Sequence, residues 1–189
     1  MARAGLTAER VVDEAIVLVE IAGMDGVTLA AIADRLGVKT PSLYKHVAGT
    51  DDLHGRIAAR ARSSLSDSIS RAAVGKSGAQ ALTAIATSYR EWAHAHPGTY
   101  PMTLRAPSSD DAADIAVVQR FVETIYSVLG GFGLSGDELV DATRMLRSVL
   151  HGFVSLEAAG GFGLPRDIDR SFAVTIAALE RAMAEWPRG

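Results

Sequence analysis

Between Asp34 and Asp51 the chain has no carboxylate, yet Lys39, Thr40, Ser42, Tyr44, Lys45 and His46 fall within eight consecutive positions. Ammonium, hydroxyl, phenol and imidazole groups are donors suited to phosphate oxygens and to the edges of bases. The whole chain has a formal net charge of -3. This argues against a protein that coats nucleic acid through bulk charge, but a local basic reading surface remains open to it.

Catalytic patterns are weaker. Gly131-x-Gly133-x-x-Gly136 spells a dinucleotide fingerprint, but that chemistry needs a preceding strand and a βαβ unit, and neither is expected here. Glu91-x-x-His94 is one half of a di-iron carboxylate-histidine set, which needs two such pairs and further glutamates. His94 and His96 are two apart on a helix and face different ways. No nucleophile, base and orienting group share a recognisable motif, so no catalytic residue, metal or cofactor is expected. The absence of cysteine excludes disulfides, thiolate catalysis and cysteine-held zinc.

The elements that must carry the donor cluster are helices. Apolar residues recur at helical spacing and useful β-type alternation is missing, so the fold class is all-α. A first helix is expected from a Thr7 cap to about Ala22, burying Val11, Ala15, Leu18 and Val19, with Gly23, Asp25 and Gly26 ending it. Thr28 caps a second whose Leu29, Ile32, Ala33 and Leu36 share one face, and Gly37 is placed to stop it. A third helix follows over about 39–46, turning Val38, Leu43 and Val47 inward; Pro41 is tolerated in its first turn. Thr50 is expected to cap a fourth that continues to about Val74, with Asp51 and Asp52 at its positive end. Beyond a GKSG joint, helices are expected at about 79–95, 109–129, 136–159 and 168–186, with an irregular piece around 98–106.

Periodicity alone allows the pair over 28–47 to be either a DNA-reading helix-turn-helix or a plain packing unit; the outer-face donors favour the first. Residues 8–56 resemble the N-terminal DNA-binding domain of the tetracycline-repressor (TetR) family. The resemblance rests on TLAAIADRLGV (28–38), on Pro41, Leu43, Tyr44 and His46 of TPSLYKH, and on Asp52-Leu53. It implies that Lys39, Thr40 and Ser42, flanking Pro41, face base edges. Tyr44, Lys45 and His46 would then hold the DNA backbone, with Thr28 on a further phosphate. Two positions depart from the family pattern: Val47 stands where an aromatic is usual, and Thr50 where a phosphate-binding lysine is common, which either weakens affinity or shifts that contact to the Thr50 hydroxyl and nearby backbone N–H groups.

The resemblance further implies an all-helical C-terminal domain that dimerises and encloses a small molecule. RMLRSVLHGFVSLEAAGGFG (144–163) resembles a TetR subclass with a His-Gly pair, here His151 and Gly152, although Leu146 and Leu150 replace its usual upstream tryptophan. Read from the residues, Gly152, Ala159, Ala173, Ala177 and Ala178 would let two long helices approach their symmetry mates closely, or else belong to the intrachain core. His151 shares a stripe with Arg144 and Arg147, either to orient a ligand or to pair with Glu157, Glu138 or Asp141 at the surface. Trp92, Tyr100, Met102, Phe121, Tyr126 and Phe153 supply candidate pocket lining or ordinary core.

The expected protein is a homodimeric, ligand-responsive transcription regulator, a repressor rather than an activator. Residues 1–50 would read double-stranded DNA, a helix over about 50–74 would connect, and residues 76–189 would dimerise and bind a small, largely apolar effector. The alternatives are a DNA-binding regulator controlled by a protein partner, and an all-α enzyme. No apolar run is long enough to span a bilayer, so no membrane partner and a cytoplasmic location are expected.

Overall fold

A computed structural model describes residues 5–187, and these residues form seven α-helices and three short 3-10 helices. The first helix, α1 (Ala8–Ala22), begins where the Thr7 hydroxyl accepts the Arg10 N–H at 3.3 Å. It ends where Gly23 turns to φ 68°. After a 3-10 turn at Met24–Gly26, α2 (Leu29–Leu36) starts at the Thr28 hydroxyl, which accepts the Ala31 N–H at 3.1 Å. Gly37, at φ 66° and ψ 34°, takes the left-handed conformation that a side chain disfavours, and the Val38 N–H returns to the Ala33 carbonyl at 2.9 Å.

Three local expectations are corrected. The third helix is a 3-10 helix, Thr40–Lys45, not an α-helix over 39–46. Pro41 supplies no N–H, and a six-residue span is closed by three-residue bonds such as Ser42 N–H to Lys39 C=O at 2.8 Å and His46 N–H to Leu43 C=O at 2.8 Å. The next helix, α3 (Thr50–Ala73), makes its first bond from Leu53 N–H to the Gly49 carbonyl, so the cap position is Gly49, one residue before Thr50. Asp52 secures this start by accepting the Ala48 N–H at 2.8 Å. Beyond it lie α4 (Gly78–Ala95), a 3-10 helix at Tyr100–Leu104, α5 (Ala112–Gly130), α6 (Asp137–Ala158) and α7 (Ile168–Ala184). The start of α5 falls at 112, later than expected, because the Asp111 carboxylate accepts the N–H groups of Ala113 and Asp114.

The chain forms two compact units. One contains the residues up to Ser64 together with His96–Ile115. Its core is built by Val11, Ala15 and Val19 of α1, Ile32 and Ala33 of α2, Leu43 of the Thr40–Lys45 helix, Val47 after it, and Leu53 and Ile57 of α3. The other contains Leu65–Ala95 and the residues from Ala116 onward. There α4, α6 and α7 pack on one another through stripes at helical spacing: Leu82, Ile85, Tyr89 and Trp92; Ala142, Leu146, Leu150 and Val154; Phe172, Ile176, Leu179 and Met183.

Candidate nucleic-acid interface

Leu43 is fully buried and Val47 nearly so, and between them Tyr44 is 58% exposed. The 3-10 helix is therefore pinned by one face while its other face stays open to solvent. Lys39, Pro41 and Lys45 are exposed on it; Thr40, Ser42 and His46 are half-buried. Thr28 and Thr50 are exposed at the starts of the two flanking α-helices. Since the Thr28 oxygen accepts the cap bond, its hydroxyl proton is left to donate outward.

The surrounding charges are arranged so that arginines are consumed locally. Arg35 pairs with Glu14, Arg56 with Asp52 at 2.9 Å, and Arg60 with Asp13 at 3.1 Å. Lys39 and Lys45 have no such partner among the described residues. Burial alone would raise the Asp52 carboxyl, but the hydrogen bonds from Arg56 and the Ala48 N–H outweigh it and hold the group below the ordinary aspartate value. Asp52 is thus tied down as an anion within its own helix start, and neither Lys39 nor Lys45 is drawn into an ion pair with it.

The downstream candidates differ in element and burial. Trp92 is buried on α4, Phe121 and Tyr126 are half-buried on α5, and Arg147 is exposed on α6. Tyr100 and Met102 belong to the other unit, where Met102 packs against the core formed by α1, α2, Leu43, Val47 and the start of α3. His151 is half-buried, its Nδ1 3.3 Å from the Ser155 hydroxyl. The Phe153 ring lies tilted against Phe162 at 4.8 Å and edge-on to Phe172 at 5.0 Å, and the Arg90 guanidinium lies 4.8 Å over the Phe172 ring. Of the surface pairings considered for Arg144, Asp141 is found at 3.5 Å. Glu157 pairs with Arg90 instead, through bonds of 2.9 and 2.5 Å, and also meets His94 at 2.9 Å. An open groove of about 670 Å³ runs between the end of α3 and α5, lined by Ser66, Asp67, Ser70, Arg120, Glu123 and Thr124 among others, and includes none of the predicted ligand residues.

The predicted interface residues lie on outward faces. On α6, Gly152 is half-buried, and a Cβ built there would meet open space; Leu156 and the C-cap residue Ala159 are exposed. On α7, Ala173, Val174 and Ala178 are exposed and Ala177 is half-buried, opposite the buried stripe of that helix. No group of three histidine or acidic side chains among the described residues could hold a metal ion, and no described helix is long and apolar enough to cross a membrane.

Sequence reasoning missed three polar assemblies: the Arg90–Glu157–His94 cluster with Asp169, the Arg62–Asp114 pair, and the contact of Glu20 with Gly98 and Thr99. Arg62 did leave a signal, since it sits among Ala58, Ala61 and Leu65 on the buried side of α3, where a charge must have a partner.

Comparison with known proteins fits this geometry. Residues 11–62 match bacterial regulatory proteins of the tetR family, and residues 82–179 match the tetracyclin repressor-like C-terminal domain. An HTH-type transcriptional regulator of Mycobacterium tuberculosis is 33% identical over 180 residues, covering 95% of this chain and 81% of the relative. Another, from Bacillus subtilis, is 31% identical over 180 residues, covering 92% and 91%. A solved regulator of Streptomyces coelicolor, described as a TetR, shares the fold with a TM-score of 0.73 at 20% identity, over 97% of this chain and all of that one. The chain belongs to the tetR family of DNA-binding bacterial transcription regulators.

Proposed function

We propose that this regulator is a homodimeric repressor that reads a palindromic operator and leaves it when a small effector binds the downstream unit. The observation that carries the proposal is the open donor face of the Thr40–Lys45 helix above its Leu43 and Val47 anchors. On this reading Lys39, Thr40 and Ser42, beside Pro41, address base edges. Tyr44, Lys45, His46, Thr28 and Thr50 address phosphate oxygens. Two such segments must meet half-sites about 34–36 Å apart, which calls for a dimer. The apolar outward faces of α6 and α7, with Gly152, Ala159, Ala173, Ala177 and Ala178, are the natural place for it: small side chains allow a four-helix contact between copies.

Effector control requires that the ligand bind one conformation better than another, since equal affinity shifts nothing. Trp92, Phe121, Tyr126 and Phe153, with Arg147 and His151, support a largely apolar effector with a polar end. Selection from a random duplex library, followed by anisotropy titration at several salt concentrations, tests the reading. A palindromic winner whose affinity falls with a slope of roughly -0.9 per phosphate contact is expected. Failure to enrich any sequence would sink it.

A further inference from the structure

Glu20 lies two residues before the end of α1, where unpaired carbonyls make a carboxylate unwelcome. It does not turn to solvent. One oxygen accepts the Gly98 N–H at 2.7 Å; the other accepts the Thr99 N–H at 3.1 Å and the Thr99 hydroxyl at 2.5 Å. Thr99 is 2% exposed. Gly98 is pressed against the same helix turn: a Cβ there would overlap the Val19 carbonyl oxygen and sit 2.7 Å from its carbon. Glycine is needed here for closeness rather than for backbone angle.

The segment that follows is held along its length by residues of the first 64. Met102 packs against the core shared by α1, α2 and Leu43. Arg62 donates to the Arg105 carbonyl at 2.5 Å and grips the Asp114 carboxylate with two nitrogens, one at 2.9 Å. A stretch linking α4 to α5 is thereby built into the reading unit. Val19, beside Glu20, shares one packed cluster with Leu43, the anchor of the reading helix. Close packing passes a displacement on to its neighbours.

We infer that Glu20 is a positioning residue for DNA reading, and that the reading unit is a composite whose full operator affinity requires Gly98–Leu104 seated on α1. The inference rests on the DNA-reading proposal.

The test uses the full chain with Glu20→Ala, Glu20→Gln and Gly98→Ala, and reads amide exchange over 97–105 and anisotropy on the duplex selected by wild type. Glu20→Ala should speed exchange at Gly98 and Thr99 and weaken operator binding about tenfold, within the usual range of coupling between sites. The salt slope should match wild type, because no phosphate contact is lost. Glu20→Gln, which keeps the shape and one acceptor, should recover part of the affinity. It serves as the comparison if the alanine variant gives no cooperative unfolding. Glu20→Ala combined with Gly98→Ala should lose no more than the worse single variant, since both break one contact. Faster exchange with affinity within twofold of wild type would overturn the inference and leave Glu20 a structural clamp; so would a tighter complex or a changed salt slope, which mean direct electrostatics. A wild-type chain that enriches no duplex removes the DNA-reading proposal itself, and this inference with it.

Discussion

The two units solve the problem of fixing a helix by different means. In the downstream unit the helices are long, 18 residues in α4 and 22 in α6, and each buries a continuous apolar stripe. In the reading unit the decisive elements are short, eight residues in α2 and six in the Thr40–Lys45 helix. A short element has few side chains to bury, so its surroundings are fixed by charged hydrogen bonds between distant parts of the chain: Glu20 to Gly98 and Thr99, Arg62 to Asp114 and the Arg105 carbonyl. Both units also contain an arginine–carboxylate pair, but their environments differ. Arg62 and Asp114 are 9% and 3% exposed and enclosed; Arg90 and Glu157 are more open and share their charge with His94 and Asp169.

That contrast makes a quantitative demand. Arg62→Ala should be the most damaging change considered, costing about 3–5 kcal/mol, because it strands a buried carboxylate. Arg90→Ala should cost less, about 1–3 kcal/mol, because Glu157 keeps His94 and can recruit water. Denaturant unfolding measures both, and amide exchange shows which unit opens. Equal losses would mean that enclosure of the pair is not what separates the two units. Replacing Arg62 and Asp114 together by methionine and leucine should restore most of the stability, as apolar substitutes for buried pairs often do.

Acid sharpens the same comparison. The Arg90 hydrogen bond is the main cause that holds Glu157 below the ordinary glutamate value, with burial opposing it. A depressed folded-state pKa gives stability that is complete above the unfolded value, about 4.3, and is lost as pH falls through the folded value. Protection of the α4–α6–α7 packing should therefore be flat at neutral pH and fall below about 4, and Glu157→Gln should flatten that limb. An unchanged acid limb in Glu157→Gln would assign the loss to other carboxylates.

The helical frame was legible because its signals are local. Thr7, Thr28, Gly23 and Gly37 mark boundaries within a few residues of the bonds they make, and the structure uses all four. Local signals also misled by small amounts: Thr50 looks like a cap until Gly49 takes that position, and Pro41 reads as an α-helical first turn until the six-residue span closes as 3-10. The exposure of Tyr44 and Lys45 was legible because Leu43 and Val47, on either side of them, are buried. What could not be read was contact across sequence. Glu20 and Thr99 are 79 residues apart, and no periodicity connects them. Aromatic residues on α4 to α6 stayed ambiguous for a different reason: pocket lining and core have the same helical spacing, so Phe153 could not be assigned to a ring cluster with Phe162 and Phe172 before the fold was known.

The smallest effect on stability belongs to the open face itself, and there the two lysines can be separated. Lys39 and Lys45 are exposed, so Lys39→Ala and Lys45→Ala should each change unfolding by no more than about 0.5 kcal/mol. Their effects on DNA should nonetheless differ. Lys45 follows the anchored Leu43 by two residues, at the end of the short helix, and its proposed partner is a phosphate; its loss should weaken all sequences about equally and lower the salt slope by about 0.9. Lys39 precedes the helix on extended backbone at φ -85° and ψ 140°, which projects it ahead of the first turn. If it meets a base edge, Lys39→Ala should flatten preference at one position of each half-site, at a cost of about 1–3 kcal/mol against the preferred base. Identical behaviour of the two variants would mean that both lysines serve the phosphate backbone, and base reading would then fall to Thr40, Ser42 and the waters they order.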